Sequence, residues 1–384
     1  MTEIDTRTPA AAPSRRGRAP MIVIGAGGTG GHIYPGLALA AALREAEPDA
    51  RIVFTGTERG LERRLVPAAG HRLHTFDMIP FAGPGRYLLP AALARASFQA
   101  RALLKRLGAD VAIGMGGYSS APLIAGARLA GVPALIHESN AVPGRANAFS
   151  ARLTDQVALA FDAALPHFPG ARVVGMPLMP EIAAFDREAL RARARRRFGV
   201  PDGARLVLVN GGSQGATSLN EAAVNLARHW RNRNDVRFVI KSGREGTDAI
   251  QRRLAGAGAG RIATAVDHLD RMDLAYAAAD VMVCRAGSAT VAELARVGVP
   301  AVLVPYPHAA HDHQTRNARV LADAGAAELL PESDLARLEA VLSPLVADRA
   351  RRDAMAGAAR AAGHAGAAGR LAAWALDLIE GGRP

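Results

Sequence analysis

The chain has 384 residues, of which 49% are hydrophobic and 21% charged, so it is too apolar to be disordered and long enough for two globular domains. Aromatic residues make up only 4%, which argues against an all-β sandwich and favours an α/β class with helices packed on parallel strands. The single Cys284 excludes a disulfide framework within the chain. The net charge of +12 would attract nucleic acid, anionic lipid or phosphorylated substrates alike.

The opening residues of the sequence are expected to be neither an export signal nor a membrane anchor. Residues 1–20 are rich in Pro, Thr, Ala and Arg without periodicity, which predicts a disordered basic tail. No positively charged, apolar and small-residue leader is present, so the expected compartment is the cytoplasm. No apolar run reaches the roughly 18 residues that a spanning helix needs. Any membrane contact is therefore expected to be peripheral.

Two similar series of buried strands follow, separated by a break at residues 174–185. The first series reads MIVIG, RIVFTG, DVAIGMGG, PALIHE and QVALAF, and the second reads RLVLVNGG, VRFVIKSG, DVMVCRAG and PAVLVP. Ala/Leu/Arg-rich helical stretches lie between the strands, which is typical of parallel βαβ units. The pattern predicts two Rossmann-like domains whose parallel sheets face a cleft.

Glycine-rich turns follow the first strand of each series. GAGGTGGH at residues 25–32 and NGGSQGA at residues 210–216 would let backbone N–H groups approach an anionic ligand at a helix N-terminus. A dinucleotide-binding fold also expects an acidic residue at the end of the second strand, but RIVFTGT ends in Thr55, Gly56 and Thr57, and Glu58 is the first acid after them. An NAD-dependent oxidoreductase is therefore disfavoured.

The segment CRAGSATVAE, residues 284–293, has the residue types that a nucleoside diphosphate requires. Hydroxyls of Ser288 and Thr290 and nearby N–H groups would meet phosphate oxygens, and Glu293 would accept both hydroxyls of a ribose. Ser213 in the preceding glycine-rich turn would donate to the same phosphates. The alternative is that Ser288 or Thr290 caps a helix and Glu293 completes a capping box.

Five ordered motifs resemble a known family. GGTGGH, HESNAVPGRAN, GGSQGA, CRAGSATVAE and PHAAHDHQTRNA are similar in order and spacing to the MurG family of bacterial peptidoglycan N-acetylglucosaminyltransferases. The resemblance covers Met21 to the C-terminus. It implies a GT-B fold and an inverting transfer of N-acetylglucosamine from UDP-N-acetylglucosamine to the 4-hydroxyl of lipid I. The products would be lipid II and UDP, with the donor as a substrate and no cofactor.

The resemblance also implies that the acceptor and the donor bind to different domains. Residues 21–178 would form the domain that faces the acceptor and membrane, residues 179–364 would bind the donor, and a helix at about 365–384 would pack back on the first domain. The donor contacts implied by the resemblance are Thr29, Gly30, Gly31, Asn140, Ser213, Leu269, Ser288, Ala289, Thr290, Val291, Ala292, Glu293 and Gln314. One departure is Met179, which stands where the family often has a phosphate-binding Arg, so that contact is lost or supplied by another residue such as Arg285.

Inverting transfer needs a general base. His32 is the first candidate because imidazole titrates near neutral pH, although it could instead orient its loop. Glu138 is the second candidate, although it ends a buried strand and could cap the following turn. Three histidines and Asp312 cluster at residues 308–313, but they follow two prolines in a loop with no second ligand group, so we expect no metal site.

The stretch from Phe76 to Arg106 mixes apolar residues that are expected to be exposed, such as Met78, with cations, which suits an anionic phospholipid surface where a lipid-linked acceptor is met. An ordinary amphipathic helix at residues 93–107 is the alternative, and the resemblance favours the membrane. The expected location is the cytoplasmic face of the plasma (inner) membrane, with cell-wall synthesis proteins as candidate partners. The basic segment at residues 187–197 is expected to be a solvated helix face.

Three other functions compete with this interpretation. Another GT-B nucleotide-sugar enzyme, such as a glycolipid synthase or a UDP-sugar epimerase, would share the diphosphate-binding turns. A basic nucleic-acid-binding protein would need aromatic stacking platforms, yet the chain has only five Tyr and two Trp, so no nucleic-acid partner is expected. The oxidoreductase lacks the acid at the second strand.

Overall fold

The computed structural model describes residues 18–58, 60–76, 78, 89–212 and 215–381. Most of the predicted basic tail lies outside these residues. The first sheet has seven strands in the order β3-β2-β1-β4-β5-β6-β7. Its strands are β1 (Met21–Gly25), β2 (Arg51–Thr57), β3 (Arg72–Phe76), β4 (Val111–Gly114), β5 (Ala134–Glu138), β6 (Val157–Leu159) and β7 (Arg172–Val173).

The second sheet has six strands in the order β10-β9-β8-β11-β12-β13. Its strands are β8 (Arg205–Asn210), β9 (Val236–Lys241), β10 (Ala263–Val266), β11 (Val281–Cys284), β12 (Ala301–Leu303) and β13 (Ala327–Leu329). Neighbouring strands pair in parallel, as between β1 and β2 and between β8 and β11. The order of each sheet reverses beside its first strand, which creates the switch point where ligands bind in open parallel sheets.

Helices connect consecutive strands and cover the sheets. They are α1 (Gly30–Ala46), α2 (Glu62–Ala68), α3 (Leu89–Leu107), α4 (Ser120–Ala130), α5 (Arg145–Ser150), α6 (Pro180–Ala183), α7 (Arg187–Arg197), α8 (Thr217–His229), α9 (Thr247–Gly256), α10 (Met272–Ala278), α11 (Ser288–Val297), α12 (His313–Ala322), α13 (Leu338–Ala347), α14 (Arg349–Ala361) and α15 (Ala367–Gly381). Across the part of the chain that the structure describes, none of these helices is both long and apolar enough to cross a bilayer.

The central strands are apolar along their whole length because helices cover both of their faces. All residues of β1 and of β11 are buried. Cys284, at the end of β11, is fully buried among apolar side chains, and burial raises the pKa of its thiol well above the usual range. These features confirm the predicted α/β class with parallel sheets and make Cys284 a core residue of the second sheet.

The chain divides into two compact units. The first holds the described residues up to 137, residues 145–157 and the chain from residue 368, and the second holds residues 138–144 and 158–367. Within the first unit, Trp374 of α15 donates a hydrogen bond from Nε1 to Gln156 Oε1 at 3.1 Å. The domain boundaries predicted at 178/179 and 364/365 stay predictions.

Helix α7 corrects the expectation of a solvated basic face. Arg187, Arg191 and Arg195 recur every four residues on one side of the helix, and the guanidinium groups of Arg187 and Arg191 donate to carbonyl oxygens at the C-terminal end of α10. Arg191 Nη2 also lies 2.7 Å from Asp280 Oδ1. This carboxylate is buried, and its second oxygen accepts from Leu206 N. The three arginines, which form the arginine stripe of α7, therefore attach the helix to the core of the second unit.

Candidate functional site

Helix α11 begins directly after a glycine-containing turn and has an uncapped N-terminus. Its N-cap is Gly287, which has no side chain to accept a hydrogen bond from the first turn. The N–H groups of the first helical residues, from Ser288 onward, therefore lack intrahelical partners and carry the positive end of the helix dipole. Such a helix end can hold an anion such as a diphosphate.

Glu293 does not form the capping box that the sequence left open. It is the sixth residue of α11, in the second turn rather than the first, and its Oε2 accepts a hydrogen bond of 2.6 Å from the hydroxyl of Tyr276. Burial and the nearby Glu181 raise the pKa of Glu293 to about 7, and the Tyr276 hydrogen bond partly opposes this rise. The carboxyl therefore changes its ionisation near neutral pH.

Of the other residues at the start of α11, some are buried in the core and some are partly exposed. Val291 is fully buried in the same apolar cluster as Leu269, which lies just beyond the end of β10. Ala289, Thr290 and Ala292 are partly exposed, whereas Ser288 is buried. The structure thus brings the Leu269 backbone and residues 288–293, at the start of α11, to the carboxyl end of one sheet.

Gln314 lies in the first turn of α12, after a strained loop. Its Oε1 accepts a hydrogen bond of 2.9 Å from Tyr306 N, which orients the amide and leaves its nitrogen as a donor. His311 and Asp312 both have left-handed backbones, with φ of 55° and 50°. Non-glycine residues adopt this conformation at an energetic cost and often do so near functional sites.

Arg285 is held by protein groups of the second unit. Its guanidinium donates to the carbonyl oxygen of Pro305 at 3.1 Å and pairs with the Glu332 carboxylate. It also lies 5.5 Å from the centre of the Tyr306 ring. Arg285 therefore stabilises the loop that follows β12, and its role as the replacement for the family arginine at Met179 stays a prediction.

The second glycine-rich turn is fixed by a residue that the sequence interpretation missed. Gly212 has φ of 85°, its N–H donates to Asn210 Oδ1 at 2.9 Å, and its carbonyl accepts from Lys241 Nζ at 2.7 Å. Lys241 is buried at the end of β9, and burial lowers the pKa of its ammonium group. Ser213 itself lies outside the described residues. A lysine at the end of the strand VRFVIK, directly after three apolar residues, was the available signal.

The segment 138–144 is organised by the Glu138 carboxylate. Oε1 accepts from the backbone and side-chain nitrogens of Asn140 at 2.8 and 3.1 Å, and Oε2 accepts from Gly144 N at 2.9 Å. Glu138 is only 1% exposed. This geometry matches the alternative interpretation, in which Glu138 caps the turn that follows its strand, while its role as a base stays a prediction.

Asn317 connects this segment to the turn before α11. Its Oδ1 accepts from Ala141 N at 2.8 Å, and its Nδ2 donates to Asn140 Oδ1 at 3.1 Å and to Ala286 O at 3.4 Å. The side chain is fully buried, and all these residues belong to the second unit. Asn317 thus sets the orientation of the Asn140 amide. The sequence interpretation quoted the motif that contains Asn317 without assigning it a role.

In the first unit, Thr29, Gly30, Gly31 and His32 start α1. Thr29 is the N-cap with extended backbone and no side-chain capping bond, so the N–H groups that follow form a second helix end suited to an anion. The His32 ring lies against Gly116, where a Cβ atom would come within 2.9 Å of the ring, and His32 Nδ1 is 3.3 Å from Gly27 O.

Comparison with known proteins identifies the family to which this chain is similar. The glycosyltransferase family 28 N-terminal domain matches residues 22–159 and its C-terminal domain matches residues 206–371. A Saccharopolyspora erythraea protein is 43% identical over 94% of this chain and 95% of its own length. A Desulforudis audaxviator protein is 38% identical over 94% and 97%. Both are named UDP-N-acetylglucosamine–N-acetylmuramyl-(pentapeptide) pyrophosphoryl-undecaprenol N-acetylglucosamine transferase.

Solved structures agree with the family. The crystal structure of Acinetobacter baumannii MurG is 32% identical, covers 93% of this chain and 99% of its own, and superposes with a TM-score of 0.77. A UDP-N-acetylglucosamine 2-epimerase superposes with a TM-score of 0.64 at 13% identity and shares the fold alone. The predicted GT-B fold is confirmed. From its matched domains, its relatives and its structure, the chain belongs to glycosyltransferase family 28 and, within it, to the MurG family.

Proposed function

We propose that the chain transfers N-acetylglucosamine from UDP-N-acetylglucosamine to the 4-hydroxyl of N-acetylmuramoyl-(pentapeptide)-diphospho-undecaprenol, which is lipid I. The products are lipid II and UDP, and the reaction is an inverting hexosyl transfer in peptidoglycan biosynthesis. The observation that carries the proposal is 43% identity over nearly the whole chain to a transferase named for this reaction. The uncapped start of α11, beside a carboxyl suited to a ribose, supports it independently.

The donor half of the proposed mechanism uses the second unit. The first-turn N–H groups of α11 would stabilise the diphosphate as the bond from the sugar C1 to the phosphate oxygen breaks and UDP takes the electron pair. Glu293 would accept the ribose hydroxyls when ionised, and the amides of Asn140 and Gln314 would bind the sugar. Hydrogen bonds from Asn317 to Asn140 and from Tyr306 to Gln314 support pre-oriented amides.

The acceptor half needs a base for the proton of the 4-hydroxyl, and we assign this role to His32. A proton on Nδ1, directed at Gly27 O, leaves Nε2 unprotonated and able to take the acceptor proton while the new bond from O4 to C1 forms. The three hydrogen bonds to the Glu138 carboxylate make that group a weaker candidate. No step of the proposed reaction uses a cofactor or a metal ion.

The proposed location is the cytoplasmic face of the plasma membrane, where lipid I would be met on anionic phospholipid. Helix α3 supports this, because one side packs inward through Ala96, Ala100 and Leu104 while Phe98 on another side is 61% exposed. Arg95, Arg101, Lys105 and Arg106 lie on the same helix. Of the segment before α3, Phe76 and Met78 are buried, which corrects the expectation of an exposed Met78, and residues 79–88 lie outside the described residues.

The test is transfer of radiolabelled N-acetylglucosamine to purified lipid I, followed by chromatography of the lipid and nucleotide products. The proposal predicts label in lipid II with one UDP released per sugar transferred. Conversion of the donor to its 2-epimer without any lipid product would instead identify a UDP-sugar epimerase. Release of UDP with other lipid acceptors only would identify a different glycolipid synthase.

A further inference from the structure

The peptide group between Gly27 and Gly28 is hydrogen-bonded at both ends. Its carbonyl oxygen lies 3.3 Å from His32 Nδ1, and its N–H donates to Glu62 Oε2 at 3.0 Å. The His32 ring and the Glu62 carboxylate are therefore joined through a single peptide group, although they are thirty residues apart in the sequence.

Glu62 is a buried carboxylate in a site built for it. Its side chain is fully buried at the start of α2, and Oε1 accepts from the backbone nitrogen and the hydroxyl of Thr57 at 2.8 and 2.7 Å. A Cβ atom on Gly27, Gly56 or Gly60 would lie within 2.6 Å of a Glu62 side-chain atom. The backbone thus leaves space for the carboxylate, and three donors converge on it from two separate segments.

We propose that Glu62 is a positioning residue for His32 and acts through the Gly27–Gly28 peptide. A carboxylate that accepts from the peptide N–H polarises the group and makes the Gly27 carbonyl oxygen a stronger acceptor. The stronger acceptor holds the His32 proton on Nδ1 and keeps Nε2 unprotonated. The catalytic consequence rests on the proposed function, in which His32 Nε2 takes the proton of the acceptor hydroxyl.

This arrangement assigns a role to an acidic residue that the sequence pattern passed over. The acid that holds a ribose in dinucleotide-binding folds lies at the end of the second strand. Here the carboxylate of Glu62 lies at the end of β2, beside Thr57, but it already accepts hydrogen bonds from protein donors. It therefore serves the glycine-rich loop rather than a ribose.

The direct test measures which ring nitrogen of His32 carries the proton, in the full chain without substrate. In protein labelled with 15N-histidine, the His32 resonances are identified by their loss in His32→Gln, and the nitrogen shifts report which nitrogen carries the proton. We expect the neutral ring of the native protein to be protonated mainly on Nδ1. A neutral ring protonated mainly on Nε2 in the native protein would overturn the proposal without any variant of Glu62.

Glu62→Gln removes the charge while keeping the size, and it puts an NH2 group opposite at least one of the donors. We expect a smaller Nδ1-protonated fraction and a fall in kcat of about ten- to a hundredfold, with the KM for UDP-N-acetylglucosamine within about threefold of native. Glu45→Gln makes the same chemical change at an exposed site on α1 and should alter neither the spectrum nor kcat. A folded Glu62→Gln protein with a native His32 spectrum and native kcat would overturn the proposal.

The two measurements separate this proposal from the proposed function. If the native protein transfers no sugar to lipid I, the proposed function fails, while the His32 spectrum still tests the contact with the Gly27–Gly28 peptide. If transfer occurs and survives in His32→Gln, the base assignment fails and the catalytic role of Glu62 fails with it. Circular dichroism and UDP binding show whether each variant is folded.

Discussion

Glu293 shows how one partly buried carboxyl links stability to pH. Its pKa in the folded protein is about 7, against an ordinary value of 4.5, because burial disfavours the charged form. The folded state therefore binds more protons than the unfolded state between these values. The contribution of Glu293 to stability is therefore most favourable below about pH 4.5 and is lost as the pH rises through about 7.

Glu293→Gln removes this dependence and keeps an oxygen that can accept from Tyr276. We expect the variant to be more stable than the native protein by about 1 to 2 kcal/mol at pH 8, and by much less at pH 5. The measurement is the melting temperature of the two proteins at both pH values. An equal difference at pH 5 and pH 8 would show that the carboxyl is not shifted in this way.

Asn317 tests whether the orientation of Asn140 matters for the donor. In Asn317→Asp, a carboxylate oxygen replaces the amide nitrogen that donates to Asn140 Oδ1 and Ala286 O, so acceptors face one another. We expect kcat/KM for UDP-N-acetylglucosamine to fall about ten- to a hundredfold, since each unsatisfied buried group costs about 1 to 3 kcal/mol. Asn225→Asp, at an exposed site on α8, is the control. A native kcat/KM in folded Asn317→Asp would contradict this role.

The sequence could predict the residues of the 288–293 turn because hydroxyls, glycine and a carboxylate stand close together in one short motif. It could not predict Asn317, whose partner Asn140 is 177 residues away, nor the contact between Lys241 and Gly212. These pairings depend on which strand ends the fold brings together. A single sequence does not contain that information, and only the residue types of each motif are visible in it.

At the scale of elements, the missed strands were the edge strands. The apolar runs predicted every interior strand of both sheets, whereas β3, β7, β10 and β13 all lie at sheet edges. An edge strand has a neighbour on one side only and is less completely buried, as the pattern of β3 shows, so its sequence is less apolar. β7 has only 2 residues and leaves no periodic signal.

The arginine stripe of α7 was misjudged for a related reason, since charge alone does not reveal which arginines have partners. Arg191 pairs with buried Asp280, and Arg193 two residues later is exposed. We expect Arg191→Met to lower the free energy of unfolding by about 1 to 2 kcal/mol, because it leaves part of the Asp280 charge uncompensated. Arg193→Met should change it by less than about 0.5 kcal/mol. Urea denaturation at pH 7 measures both, and equal effects would refute the distinction.

At the scale of the whole molecule, the net charge of +12 and the exposed Phe98 on α3 predict binding to anionic membranes. We expect co-sedimentation with vesicles that contain phosphatidylglycerol, weakening as salt is raised. Phe98→Ser should reduce the bound fraction several-fold. Leu165→Ser, which removes an exposed apolar side chain of the second unit, should not. Equal binding by native protein and Phe98→Ser would place the membrane contact elsewhere.

The most direct test of the account is sugar transfer from UDP-N-acetylglucosamine to lipid I by the native protein, His32→Ala and Glu293→Ala. We predict lipid II from the native protein, a kcat at least about a hundredfold lower in His32→Ala, and a raised KM for the donor in Glu293→Ala. If the native protein binds the donor but forms no lipid II from lipid I, the central claim is contradicted. Native rates in both variants would leave the reaction in place and refute the assigned site.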